Sequence, residues 1–111
     1  MYTVIETPTF SRLVVEHWNE NERNEFTSAI ACNPTMGDVV SGSGGVRKVR
    51  WKKSGTGKRG GVRVIYYNQL ENGEIWLLLI YSKSDCENIP AHVFKAIKQE
   101  IDNAKKKYRN T

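Results

Sequence analysis

From Val46 to Trp51 the chain alternates, so that Arg47, Val49 and Trp51 fall on one side of an extended strand and Val46, Lys48 and Arg50 on the other. The same period of two predicts a strand over Val62-Arg63-Val64-Ile65-Tyr66-Tyr67, with Arg63, Ile65 and Tyr67 sharing a face. Asn72-Gly73 predicts a tight turn into Ile75–Tyr81, a run apolar on both faces and therefore expected in the centre of a sheet. Upstream the period lengthens. Phe10, Leu13, Val14 and Trp18 recur near helical spacing, and Asn19-Glu20-Asn21-Glu22 has the form of a capping box opening a second helix. That helix should bury Phe26, Ala29 and Ile30 and stop at Asn33-Pro34, because the residue before proline is pushed out of the helical region. A short first strand is expected at Tyr2 to Ile5, and the Gly- and Ser-rich run Met36–Gly45 reads as a connector. Pro90 opens a last helix whose apolar stripe is Phe94, Ile97, Ile101, Ala104 and Tyr108. The order β, α, α, β, β, β, α predicts an α+β fold: a small antiparallel, mixed-edge sheet with two N-terminal helices and a C-terminal helix, packed on one side.

Length and cysteine usage narrow the setting. A chain of 111 residues suits one domain, residues 1–111, with a modest core. Cys32 and Cys86 lie far apart without C-x-x-C spacing, which points to neither a disulfide framework nor a zinc site, and a reducing compartment is expected. The N-terminal residues lack a charged segment followed by a long apolar run, and no apolar stretch approaches the ~20 residues of a membrane span. A soluble cytoplasmic protein with no membrane partner is expected.

Charge changes the picture more. The net charge is +5, but residues 39–70 contain no acid, and Arg47, Lys48, Arg50, Lys52, Lys53, Lys58, Arg59 and Arg63 are all gathered there. Such a block repels itself unless it faces water, and it is a natural site for a polyanion. The basic end of the last helix, Lys105-Lys106-Lys107-Tyr108-Arg109, complements the negative pole of that helix's dipole and reads as a solvated cap.

Within the block, Gly55-Thr56-Gly57-Lys58-Arg59-Gly60 fits the G-x-G-x-x-G string of a nucleotide loop. That loop requires a helix after it, to offer free N–H groups to pyrophosphate, and here a strand follows. A flexible basic connection between two strands is the better reading. His17 and His92 are the only histidines, with no nucleophile or acid grouped beside them in sequence, and no carboxylate falls between Val39 and Leu70 to hold a divalent metal. Lysine and arginine remain, and they suffice for phosphoryl chemistry on RNA. A guanidinium clamps the scissile phosphate, a lysine crowded by like charges exchanges protons, and the ribose 2′-OH is itself the nucleophile. Trp51, Tyr66, Tyr67 and Tyr81 lie on the same strands, serving the core or stacking on bases.

The segments "NPTMGDV", "GDVVSGSGGVRKVRW", "GTGKRGGVRVIYY" and "WLLLIYSK" resemble the HigB branch of the RelE/ParE superfamily of bacterial toxins, over roughly residues 24 to 101. The resemblance implies a RelE-like, microbial-ribonuclease-type fold. It also implies the toxin of a type II toxin-antitoxin pair that enters the ribosomal A site and cleaves mRNA there without metal or cofactor. On the matching positions Arg63 would bind the scissile phosphate. Lys48 and Arg50 would be the paired basic residues of the preceding strand, one of them the general base, and Lys83 the basic residue after the central strand. Arg47, Lys52, Lys53, Lys58, Arg59 and Tyr81 would contact RNA or the ribosome. A helix-turn-helix antitoxin of HigA type is implied as partner, with operator DNA reached through the toxin-antitoxin complex. The best-known RelE members carry a further arginine after the central strand and a tyrosine early in the last helix. Here Ser84 follows Lys83 and no tyrosine lies between Tyr81 and Tyr108, which leaves proton delivery to the 5′-oxygen open, with Lys83 as first candidate. Two alternatives stand beside this reading: a ParE-like toxin acting on gyrase, and a non-catalytic RNA-binding module.

Overall fold

The structure, a computed structural model, describes residues 2–52, 61–82, 95–99 and 101–103. The elements run β1 (Thr3–Glu6), α1 (Pro8–Val14), α2 (Glu20–Cys32), β2 (Asp38–Val39), β3 (Val46–Trp51), β4 (Val62–Gln69), a 3-10 turn (Leu70–Asn72) and β5 (Glu74–Ser82). A C-terminal helix, α3, follows, with described residues 95–99 and 101–103. The sheet order is β1-β5-β4-β3-β2. Strands β2 to β5 pair antiparallel, while β1 runs parallel to β5 and makes the mixed edge. The α+β architecture is therefore the expected one. β4 is the central strand, and β5, apolar on both faces, is interior between β1 and β4.

The sheet edge and the placement of the helices depart from expectation. The connector contributes β2, because Val39 aligns with Arg47 and Asp38 with Lys48 at the far edge. The helices do not share one side. Phe10, Val14, Trp18, Phe26 and Ile30, from α1, α2 and the turn between them, pack on Val49, Val62, Val64, Tyr66, Leu77 and Ile80. Ile97 and Ile101 of α3 pack instead with Val46, Ile65, Leu78 and Tyr81. The alternation requires this: β3, β4 and β5 each carry apolar residues on both faces, so each face needs its own cover. A bulge serves the second core. Ile65 pairs with Leu79 and Tyr66 with Leu77, so Leu78 is the extra residue, and Leu78 and Leu79 both turn toward α3.

Local chemistry sets the element ends. Thr7 caps α1, its Oγ1 accepting from Phe10 N at 3.3 Å and donating to Leu77 O at 2.9 Å, with Pro8 in the first turn. Asn19 and Glu22 form the predicted capping box, at 2.8 and 2.9 Å. α2 ends at Cys32 with Asn33 as cap, ahead of Pro34. Phe26 and Ile30 are buried as expected, but Ala31 rather than Ala29 takes the third core position. Gly73, at φ +69°, closes the turn into β5. Glu6 on β1 and Arg23 on α2 form an ion pair, with Nε 2.8 Å from Oε2, that ties strand to helix. Pro90, Phe94, Ala104 and Tyr108 lie outside the described residues.

Candidate nucleic-acid interface

The strand registers decide which cations meet. Arg50 of β3 pairs with Arg63 of β4, and Arg63 in turn with Tyr81 of β5, so the three form one row across the sheet. Directly opposed residues share a face, with Cβ atoms about 5 Å apart. In the next row Lys48 stands beside Ile65 and Leu79, diagonal to Arg63 at ~7–8 Å and two residues from Arg50. The third row, Val46, Tyr67 and Trp76, belongs to the core with Ile97 and Ile101 of α3. The cations thus stand in rows whose other members, Ile65, Leu79 and Tyr81, belong to the core packed with α3.

Exposure and pairing agree with an anion site. Arg50 is exposed, and Lys48 and Arg63 are half-buried, their stems on the sheet. Among the described residues neither the Lys48 ammonium nor the Arg50 guanidinium takes part in a hydrogen bond or ion pair. Tyr81, 9% exposed, belongs to the same row and to the second core. Three cationic side chains on neighbouring positions of one face can surround a single phosphate.

The other predicted contacts are dispersed. Arg47 points to the opposite face, half-buried, and its Nη1 donates to Gly37 O at 2.6 Å. Lys52 is exposed just beyond β3, its carbonyl accepting from Trp18 Nε1 at 2.8 Å. Lys53, Lys58, Arg59 and Lys83 lie outside the described residues. Strand β4 begins at Val62 and pairs antiparallel with β3, so the glycine string is followed by a strand and lacks the helix a nucleotide loop needs.

The structure also sorts the aromatics. Trp51 packs edge-on against Phe26, with centroids 5.2 Å apart, and Tyr67 lies under the Lys98 ammonium at 4.8 Å. Tyr66 is fully buried; its hydroxyl accepts from Gly37 N and donates to Pro34 O, both at 2.8 Å. Burial pushes its pKa up, against the pull of the Gly37 bond. Tyr81 is left as the aromatic of the cationic row. His17 is buried in the turn between α1 and α2. Among the described residues no three His, Cys, Asp or Glu side chains gather to hold a metal, and no helix is long and apolar enough to cross a membrane.

Sequence reasoning missed one residue of this face. Asp38 pairs with Lys48 across β2 and β3, bringing a carboxylate to the end of the Lys48 row. It stands one position before the acid-free block, in a segment read as connector; the β-branched pair Val39-Val40 was the available sign of a strand.

No protein-family model matches the chain. In fold it is similar to the E. coli toxin RelE, solved in the free state as a double arginine-to-alanine mutant. The TM-score is 0.60 at 10% sequence identity, covering 87% of this chain and 96% of that one. The chain therefore has a RelE-like α+β fold.

Proposed function

We propose that this chain is the toxin of a type II toxin-antitoxin pair, of the HigB kind, and a ribosome-dependent endoribonuclease that cleaves mRNA in the A site. The observation that carries the reading is the opposition of Arg50 and Arg63 with Lys48 diagonal to Arg63 and two residues from Arg50, on one face of the sheet. Similarity in fold to a toxin supports it.

The chemistry follows from what those groups do to a phosphodiester. Arg63, with Arg50 across from it, binds the scissile phosphate and neutralises the charge that grows on its oxygens. The ribose 2′-OH attacks the adjacent phosphorus; the 2′-O–P bond forms as the P–O5′ bond breaks. One of Lys48 and Arg50 takes the 2′ proton, Lys48 being the member able to act as a base. Lys83 is the candidate to protonate the departing 5′-oxygen. The products are a 2′,3′-cyclic phosphate and a 5′-hydroxyl; water attacking the cyclic phosphorus, with cleavage of the P–O2′ bond, gives the 3′-phosphate. The step asks for alignment and charge compensation, with no metal or cofactor. Tyr81 and Lys52 contact the RNA, with Arg47, Lys53, Lys58 and Arg59 as further basic contacts to RNA or ribosome. The partners are the ribosome, mRNA and a helix-turn-helix antitoxin of HigA type, operator DNA being reached through the complex. The site of action is the cytoplasm.

Primer extension on translated and untranslated mRNA, with purified protein, tests this. Cuts confined to ribosome-bound message are expected. Gyrase-linked DNA breaks would favour a ParE-like activity instead, and protection of RNA without cuts a binding module.

A further inference from the structure

We infer that Asp38 is a positioning residue for Lys48, an inference that rests on the endoribonuclease reading above. Three observations place it. The register sets Asp38 directly opposite Lys48, hence on the face of the cationic rows. The backbone just before it is locked at both polar groups: Gly37 N donates to Tyr66 Oη at 2.8 Å and Gly37 O accepts from Arg47 Nη1 at 2.6 Å. Finally, a Cβ on Gly37 would lie 2.8 Å from Lys48 O and 2.9 Å from the Tyr66 hydroxyl, so only glycine lets this backbone press against the strand that carries Lys48.

A strand of two residues at a sheet edge has little to hold it by its own ladder. Here a buried tyrosine and an arginine from the opposite face hold it in place of a longer ladder. The consequence is an acidic residue held directly across the sheet edge from one lysine of the site. A carboxylate beside a polyanion site weakens binding of the polyanion, so its placement makes sense through Lys48. Asp38 and Lys48 form no ion pair within 4 Å in the free protein. When RNA enters, the carboxylate accepts a hydrogen bond from the neutral Lys48 amine, turns its lone pair toward the 2′-OH and stabilises the ammonium that forms as the proton is taken, while Arg50 and Arg63 take the phosphate.

The test is a double-mutant cycle on single-turnover cleavage of ribosome-bound mRNA with Asp38→Asn, Lys48→Met and both together. Asp38→Asn keeps the size and strand hydrogen bonds of the residue. It is expected to slow cleavage roughly tenfold in the Lys48 background and to add nothing to Lys48→Met. Affinity for an uncleavable 2′-O-methyl RNA is expected to stay level or tighten, because a negative charge has been removed. Equal proportional losses in both backgrounds, or a wild-type rate for Asp38→Asn, would overturn the assignment. Arg63→Ala separates the two ideas: if wild type cuts and Arg63→Ala does not, the endoribonuclease reading stands whatever Asp38 does. A wild-type protein that leaves ribosome-bound message intact takes both down.

Discussion

Arg50 and Arg63 face one another across β3 and β4 as a directly opposed pair of like charges. Such a pair disfavours the sheet by a few tenths of a kcal/mol in the absence of an anion, and the repulsion is screened by salt. Arg50→Gln is therefore expected to raise the melting temperature slightly at low ionic strength and to lose that advantage in high salt, while weakening RNA binding. Thermal melts at two salt concentrations decide it; a lower melting temperature at low salt would contradict the opposition.

Removing the cations one at a time separates function from folding. Lys48→Ala, Arg63→Ala and Lys83→Ala are each expected to abolish growth arrest when the protein is produced without antitoxin. For Lys48→Ala the melting temperature should stay near wild type, since substitutions outside the core usually move stability by no more than about 0.5 kcal/mol. Retained toxicity in all three would remove the proposed site.

Tyr66→Phe tests the clamp behind the face. The change keeps the ring in the core but leaves the buried Gly37 N–H without its acceptor, while Pro34 O retains the Asn68 Nδ2 donor at 2.8 Å. A cost of about 1–3 kcal/mol is expected for the orphaned donor. Denaturant unfolding should show a lower midpoint with an unchanged slope.

The Glu6–Arg23 pair gives a pH signature. The hydrogen bond from Arg23 holds the Glu6 carboxyl below its ordinary range, against burial, which pushes it up, and with help from Ser11 Oγ at 2.7 Å. A lowered folded pKa means the unfolded chain takes up the proton first on acidification. The pair's contribution is thus complete above the ordinary carboxylate range and is lost as pH falls through it and through the lowered folded value. With both side chains partly exposed, at 20% and 31%, roughly 1 kcal/mol is the most to expect. Glu6→Gln should cost that much at neutral pH and converge with wild type in acid; a constant difference across pH would show that the carboxylate's charge plays no part.

Much of this molecule is legible one residue at a time. Period two placed Lys48 and Arg50 on one side of β3, and Arg63 with Ile65 and Tyr67 on one side of β4, because side-chain direction in a strand alternates whatever the strand pairs with. The capping box at Asn19 and Glu22 and the stop before Pro34 were equally local, each set by a few backbone groups within one turn. What the chain order left undetermined was register and layer. Whether Arg50 meets Arg63, whether Asp38 meets Lys48, and which face α3 covers depend on hydrogen bonds and apolar contacts between segments distant in sequence. A shift of one residue in any pairing would turn a whole strand's side chains over, so the identity of the cations is local information and their convergence is tertiary.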